Sequence, residues 1–99
     1  MTKLEIRLSK KALQDLDKIW LYSFNEWSRL QADEYLSQIY NALDQLLNNP
    51  EIGNSIHHIR KGYRSLVIGQ HIAFYYRADQ SVIDVVRILH HRRDINNII

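Results

Sequence analysis

The stretch Tyr63-Arg64-Ser65-Leu66-Val67-Ile68-Gly69-Gln70-His71-Ile72-Ala73-Phe74-Tyr75-Tyr76-Arg77 decides the fold. Two runs rich in β-branched and aromatic residues flank Gly69-Gln70, a pair suited to a tight turn. It predicts a strand from Tyr63 to Ile68, a turn, and a second strand from His71 to Arg77. Toward the C-terminus, Ala78-Asp79-Gln80-Ser81 turns the chain again. Val82 to Leu89 then carries Val, Ile and Leu on both faces, interrupted by Asp84 and Arg87, which reads as a central strand covered on much of both sides. Consecutive strands with short turns make an antiparallel meander. Before the hairpin, Gly62 breaks the chain, Ile56 to Arg60 reads as a short strand, and Glu51 to Ser55, with Gly53, reads as a loop.

The first half has a different period. Lys3 to Leu8 alternates, with Leu4, Ile6 and Leu8 on one face, as a half-buried strand does. It is expected at a sheet edge or beside the last strand. Ser9 suits a helix N-cap. From Lys10, the residues Leu13, Leu16, Trp20, Ser23 and Trp27 recur at helical spacing, widened by Ala12 and Ile19, while Asp15, Asp17, Lys18 and Glu26 fall largely off this stripe. A second helix starts near Leu30, with Ala32, Tyr35, Leu36, Ile39, Ala42, Leu43, Leu46 and Leu47 as its stripe. Asn48-Asn49-Pro50 stops it. The short link between the helices makes an antiparallel hairpin. The fold class is therefore α+β: an N-terminal strand and an antiparallel helical hairpin packed on a mainly antiparallel sheet, with residues 1–99 as one domain.

Composition excludes several classes. The absence of cysteine rules out disulfide staples and thiolate zinc sites. No apolar run reaches the length of a membrane span, and the start of the chain has no apolar signal core, so a cytoplasmic address is expected. The net charge of +2 hides an asymmetry: residues 1–56 hold 6 Lys and Arg against 8 Asp and Glu, and residues 57–99 hold 7 against 3, with all 5 histidines in the second part. A basic, histidine-rich half fits an anionic partner, and equally a sheet with a basic solvent face.

The tests for catalytic chemistry are negative. His57-His58, His71 and His90-His91 lack a ligand spacing for zinc, because adjacent residues in a strand point to opposite faces. Ser65, His71 and Asp84 are not set in a nucleophile elbow. The three glycines are isolated, so no phosphate-binding glycine loop exists. No metal or cofactor is expected. Trp20 and Tyr35 read as core, whereas Tyr22 and Tyr40 lie off the stripes, where exposed aromatics contact partners. The most informative cluster is basic: Arg60, Lys61, Arg64, His71, Arg87, His90, His91, Arg92 and Arg93. On a meander Arg64, His71 and Arg87 could converge on one side of the sheet, facing phosphate or carboxylate. The competing reading pairs Arg87 with a helix carboxylate or a chain carbonyl.

Five segments together resemble the ParE branch of the RelE/ParE toxin superfamily. They are Ala12-Leu13-Gln14-Asp15-Leu16-Asp17-Lys18-Ile19-Trp20, Asn49-Pro50-Glu51-Ile52-Gly53, Ile59-Arg60-Lys61-Gly62-Tyr63-Arg64, Gly69-Gln70-His71-Ile72-Ala73-Phe74-Tyr75-Tyr76, and Val86-Arg87-Ile88-Leu89-His90-His91-Arg92-Arg93-Asp94. The resemblance spans almost the whole chain. It implies a toxin of a type II toxin–antitoxin system, held by a ParD-like antitoxin whose C-terminal segment pairs with the sheet or fills a groove by the hairpin. It implies DNA gyrase as the target, inhibited by binding, with no catalytic residue needed. Arg60, Arg64, Arg87, His90, Arg92 and Arg93 are the expected target contacts, and Tyr22 and Tyr40 the expected antitoxin contacts. Two other outcomes belong to the same superfamily: a RelE-like ribosome-dependent mRNA endoribonuclease, and a non-toxic relative that only binds the antitoxin. Against the nuclease, Ile72 stands about where several RelE-like enzymes carry arginine, and the segment Leu89 to Asp94 replaces their terminal tyrosine.

Overall fold

In the computed structural model, which describes residues 3–93 and 95–99, five strands form one sheet in the order β1-β5-β4-β3-β2. They are β1 (Glu5–Leu8), β2 (Asn54–Ser55), β3 (Tyr63–Ile68), β4 (His71–Arg77) and β5 (Val82–His90). Helices α1 (Lys10–Glu26) and α2 (Arg29–Asp44) form the hairpin, and α2 runs into one 3-10 turn at Gln45–Leu47. The β3–β4 hairpin falls where the sequence places it, with Gly69 at φ +57 in the turn. β1 lies parallel to β5, from Glu5 opposite Val82 to Leu8 opposite Val85.

Ser9 shows why the chain leaves the sheet there. Its side chain accepts from the Ala12 N–H at 3.0 Å, capping α1, and donates to the Val86 carbonyl at 2.8 Å. One residue thus starts the helix and ties it to β5 just beyond the end of β1. Ser28 caps α2 in the same way, accepting from the Gln31 N–H.

Two cores result. Between sheet and hairpin, Ala12, Leu16, Ile19, Ile39, Leu43 and Leu46 meet Ile68, Ala73, Tyr75, Ile83, Val85 and Ile88. On the opposite face, Ile56, Phe74 and Leu89 are covered by Ile59, Tyr63 and the tail residues Ile95, Ile98 and Ile99. A register slip divides β5 between them: Phe74 faces Arg87 and Tyr75 faces Val85, which leaves Val86 as the extra residue. Before the bulge the odd residues Ile83 and Val85 face the hairpin. After it Ile88 does so, and Leu89 joins the far core.

Three expectations need correction. Ile56 to Arg60 is not a strand: β2 is Asn54–Ser55, and the Ile59 and Arg60 N–H groups both turn back to the Ile56 carbonyl. The buried stripe of α1 is Ala12, Asp15, Leu16, Ile19 and Ser23. Leu13 and Trp27 lie outside it, exposed at 46% and 64%, because the stripe is rotated toward the position of Asp15. Leu47 is also exposed, where the 3-10 turn ends the helical spacing.

Candidate functional site

A groove of roughly 920 Å³ opens between the hairpin and the Gln70–His71 and His90 ends of β4 and β5. Ile19, Tyr22 and Trp27 supply an apolar wall, and Lys18, Glu34 and Arg93 a charged rim beside His90. Tyr22 is exposed, and its ring meets Trp27 edge-on at 6.4 Å. Tyr40 is also exposed but does not line the groove.

The floor at this end is a chain of rings. The Tyr35 hydroxyl lies 2.6 Å from His71 Nδ1 and accepts from the Gln70 N–H at 3.1 Å. The hydroxyl also lies 3.3 Å from the Ile68 carbonyl oxygen, a second acceptor for its single hydrogen. The His71 ring meets His90 edge-on at 5.5 Å, and His90 stacks on His91 at 4.4 Å. Burial, and then the charges of His90 and His91, push His71 down to about 4, so it is neutral at physiological pH. Burial likewise raises Tyr35. The His90–His91 stack corrects the expectation that adjacent histidines diverge: β5 ends at His90, and the turn that follows swings His91 back over it. Among the described residues no group of three or more His, Asp or Glu is placed to hold a metal ion.

The six basic residues expected at the target surface are not brought together. Arg87 follows the competing reading. The bulge and the end of β1 leave it at an open sheet edge, where it forms two bonds to Asp15, 2.8 Å from Nε and 3.0 Å from Nη2. Asp15 also accepts from the Ile88 N–H at 3.0 Å, standing in for the missing neighbour strand. Arg64 donates to the Gly53 and Glu51 carbonyls. It sits opposite Tyr75, whereas His71 sits opposite Ile68 at the other end of the ladder. Four residues of strand, roughly 13 Å, separate them, so Arg64, His71 and Arg87 do not converge. Arg60 lies over the Tyr63 ring on the far face. His90 and Arg93 reach the groove rim, and Arg92 is exposed in the turn beside them. Asp94, the last residue of the quoted segments, lies outside the described residues. Ser65, His71 and Asp84 make no contact with one another: Asp84 is held by Arg7 and Tyr76.

Sequence reasoning missed Asp15 and Trp27. The signal for Asp15 was its place between Ala12 and Ile19 on the true stripe, together with an arginine in a buried strand that needed a carboxylate.

A five-stranded sheet under an antiparallel hairpin, with a partly apolar groove beside it, defines a small α+β module. Residues 6–95 match the family described as the ParE toxin of the type II toxin–antitoxin system, parDE. The chain is 40% identical over 89 residues to Toxin ParE1 of Mycobacterium tuberculosis, covering 90% of this chain and 91% of that protein. It is 36% identical over 84 residues to Toxin ParE1 of Caulobacter vibrioides, covering 85% of each. The fold matches a solved chain of the chromosomal ParDE system from P. aeruginosa, with a TM-score of 0.76 and 20% identity over 89% of this chain and 96% of that one. This chain belongs to the ParE toxin family of type II toxin–antitoxin systems.

Proposed function

We propose that this chain inhibits DNA gyrase by binding it in the cytoplasm, as a single toxin domain, and is neutralised by a ParD-like antitoxin. The observation that carries the reading is the 40% identity with a ParE1 toxin across 89 residues. The groove supports the antitoxin half. Its apolar wall and charged rim suit an amphipathic segment that buries aliphatic anchors against Ile19, Tyr22 and Trp27. Tyr40, exposed on α2 outside the groove, is a separate antitoxin contact in this reading. For the target, Arg60, Arg92 and Arg93 are the exposed cations of the expected set, with the exposed His90 imidazole beside the last two. Arg64 and Arg87 serve by holding the loop and the helix that they bond.

A DNA supercoiling assay with purified gyrase, with and without antitoxin, tests this. The expected result is inhibition or trapped cleaved DNA, relieved by the antitoxin, and weakened in the variant Arg92→Ala/Arg93→Ala while its fold is retained. No effect from folded toxin on gyrase of its own host would overturn the gyrase reading. A translation block in its place would identify a ribosome-dependent nuclease.

A further inference from the structure

Beside the start of α1, Tyr63, Val86, Ile98 and Ile99 floor a cleft of about 370 Å³. Its rim is cationic. Lys10 and Lys11 come from the first turn of α1, and Arg60 from the turn before β3. Arg87 also reaches the cleft, but its charge is answered by Asp15. That first turn holds no acidic residue, and among the described residues no Asp or Glu pairs with Lys10, Lys11 or Arg60. Three like charges around one apolar floor repel each other unless an anion lies between them.

Arg60 is held in place. Its guanidinium sits 5.1 Å from the centre of the Tyr63 ring and donates to the Ile99 carbonyl at 3.3 Å. The same Tyr63 ring is stacked on Tyr76 at 4.9 Å and 9°. Tyr63 is thus covered by Arg60 and by Tyr76, and offers no free face on which an unpaired base could stack. Sites for single strands depend on such free aromatic faces. A paired backbone needs only the cations.

We propose that this cleft binds the phosphodiester backbone of duplex DNA, through Lys10, Lys11 and Arg60, without reading sequence. The choice of duplex DNA rests on the gyrase reading, since duplex DNA is the substrate of gyrase.

The test is binding of a fluorescein-labelled DNA duplex to the isolated toxin, by anisotropy across a salt series. Each phosphate contact contributes about 0.9 to the slope of log K against log salt. The Lys10→Gln/Lys11→Gln variant should lower the slope by about 1.8, and Arg60→Gln by about 0.9. The charge-matched Lys3→Gln/Arg29→Gln variant, away from the cleft, should keep it. Absence of duplex binding by the parent at low salt overturns the proposal, as does an equal loss in both double variants. Binding of single-stranded RNA in preference to the duplex also overturns it. A parent that inhibits gyrase without binding the duplex removes this site and leaves the gyrase reading intact. A parent that binds the duplex as described without touching supercoiling does the reverse.

Discussion

Removing the Asp15 carboxylate should destabilise the fold more than any exposed change on α1. The Asp15 side chain is 7% exposed and that of Arg87 19%, and they share two hydrogen bonds. Asp15→Ala orphans a largely buried guanidinium, and breaking such a pair by losing one partner costs about 3–5 kcal/mol. It also leaves the Ile88 N–H without its acceptor, which costs about 1–3 kcal/mol. Arg87 can turn partly to water, so the sum should settle near 3–5 kcal/mol, a drop in Tm on the order of 15–25 °C. Arg87→Ala should cost less, ~2–3 kcal/mol, because Asp15 keeps the Ile88 N–H. The double variant Asp15→Ala/Arg87→Ala removes both charges together and should cost clearly less than the two singles added.

Urea denaturation followed by circular dichroism measures all four corners of this cycle. A cost below about 1 kcal/mol for Asp15→Ala, or a coupling below about 0.5 kcal/mol, would refute the assignment of Arg87 as a strut of the fold.

Three shorter predictions follow from other contacts. Gly53→Ala should cost about 1–3 kcal/mol in the same assay, because its Cβ would stand 2.7 Å from the Ser65 carbonyl oxygen and 2.7 Å from the Tyr75 hydroxyl. Trp27→Ala, at a side chain so exposed, should leave stability within about 0.5 kcal/mol and weaken antitoxin binding at least ~10-fold by calorimetry. Acid should weaken the fold through His71: its folded value near 4 lies below the ordinary 6.5. The unfolded chain therefore takes up the proton first, so this contribution is complete above pH 6.5 and declines as pH falls toward 4. The ring is only half-buried, so the loss should be about 1–2 kcal/mol, and His71→Gln should flatten the pH profile of Tm over that window.

The sequence made some of this legible and concealed the rest for definable reasons. The β3–β4 hairpin was readable because two β-rich runs flank Gly69, whose positive φ the turn requires. The start of α1 was readable because Ser9 directly follows an alternating strand. Asp15 was hidden because hydrophobic periodicity counts a carboxylate as solvent-facing, whereas here it replaces a strand neighbour for Ile88 and Arg87. The position of Arg87 was hidden by one inserted residue: without the bulge, Arg87 would continue the hairpin-facing set of Ile83 and Val85. Trp27 was misplaced because heptad spacing from Leu13 and Trp20 follows a line just beside the true stripe. The segment from Ile56 to Arg60 has strand-forming residues, but the Ile59 and Arg60 amides close back on the Ile56 carbonyl, so pairing with β3 stops at the bond from the Ile56 N–H to the Tyr63 carbonyl.

The Asp15–Arg87 pair also joins the two cavities physically, since Asp15 lines the groove and Arg87 lines the cleft. This makes the cleft's charge depend on an anion that belongs to the other side of α1. Asp15→Asn keeps an oxygen for the Ile88 N–H but no longer cancels the guanidinium, so the cleft gains one uncompensated cation. If the cleft grips DNA phosphates, the salt slope for duplex binding should steepen by about 0.9, because a fourth contact becomes available. Arg87→Met, which adds no cation, should leave the slope unchanged. Measured below the unfolding range of both variants, a slope that stays constant in Asp15→Asn would mean that Arg87 does not reach the bound phosphate. A steeper slope would mean that any groove occupant drawing Asp15 toward itself strengthens the cleft, and reciprocity then requires bound DNA to favour that occupant by the same factor.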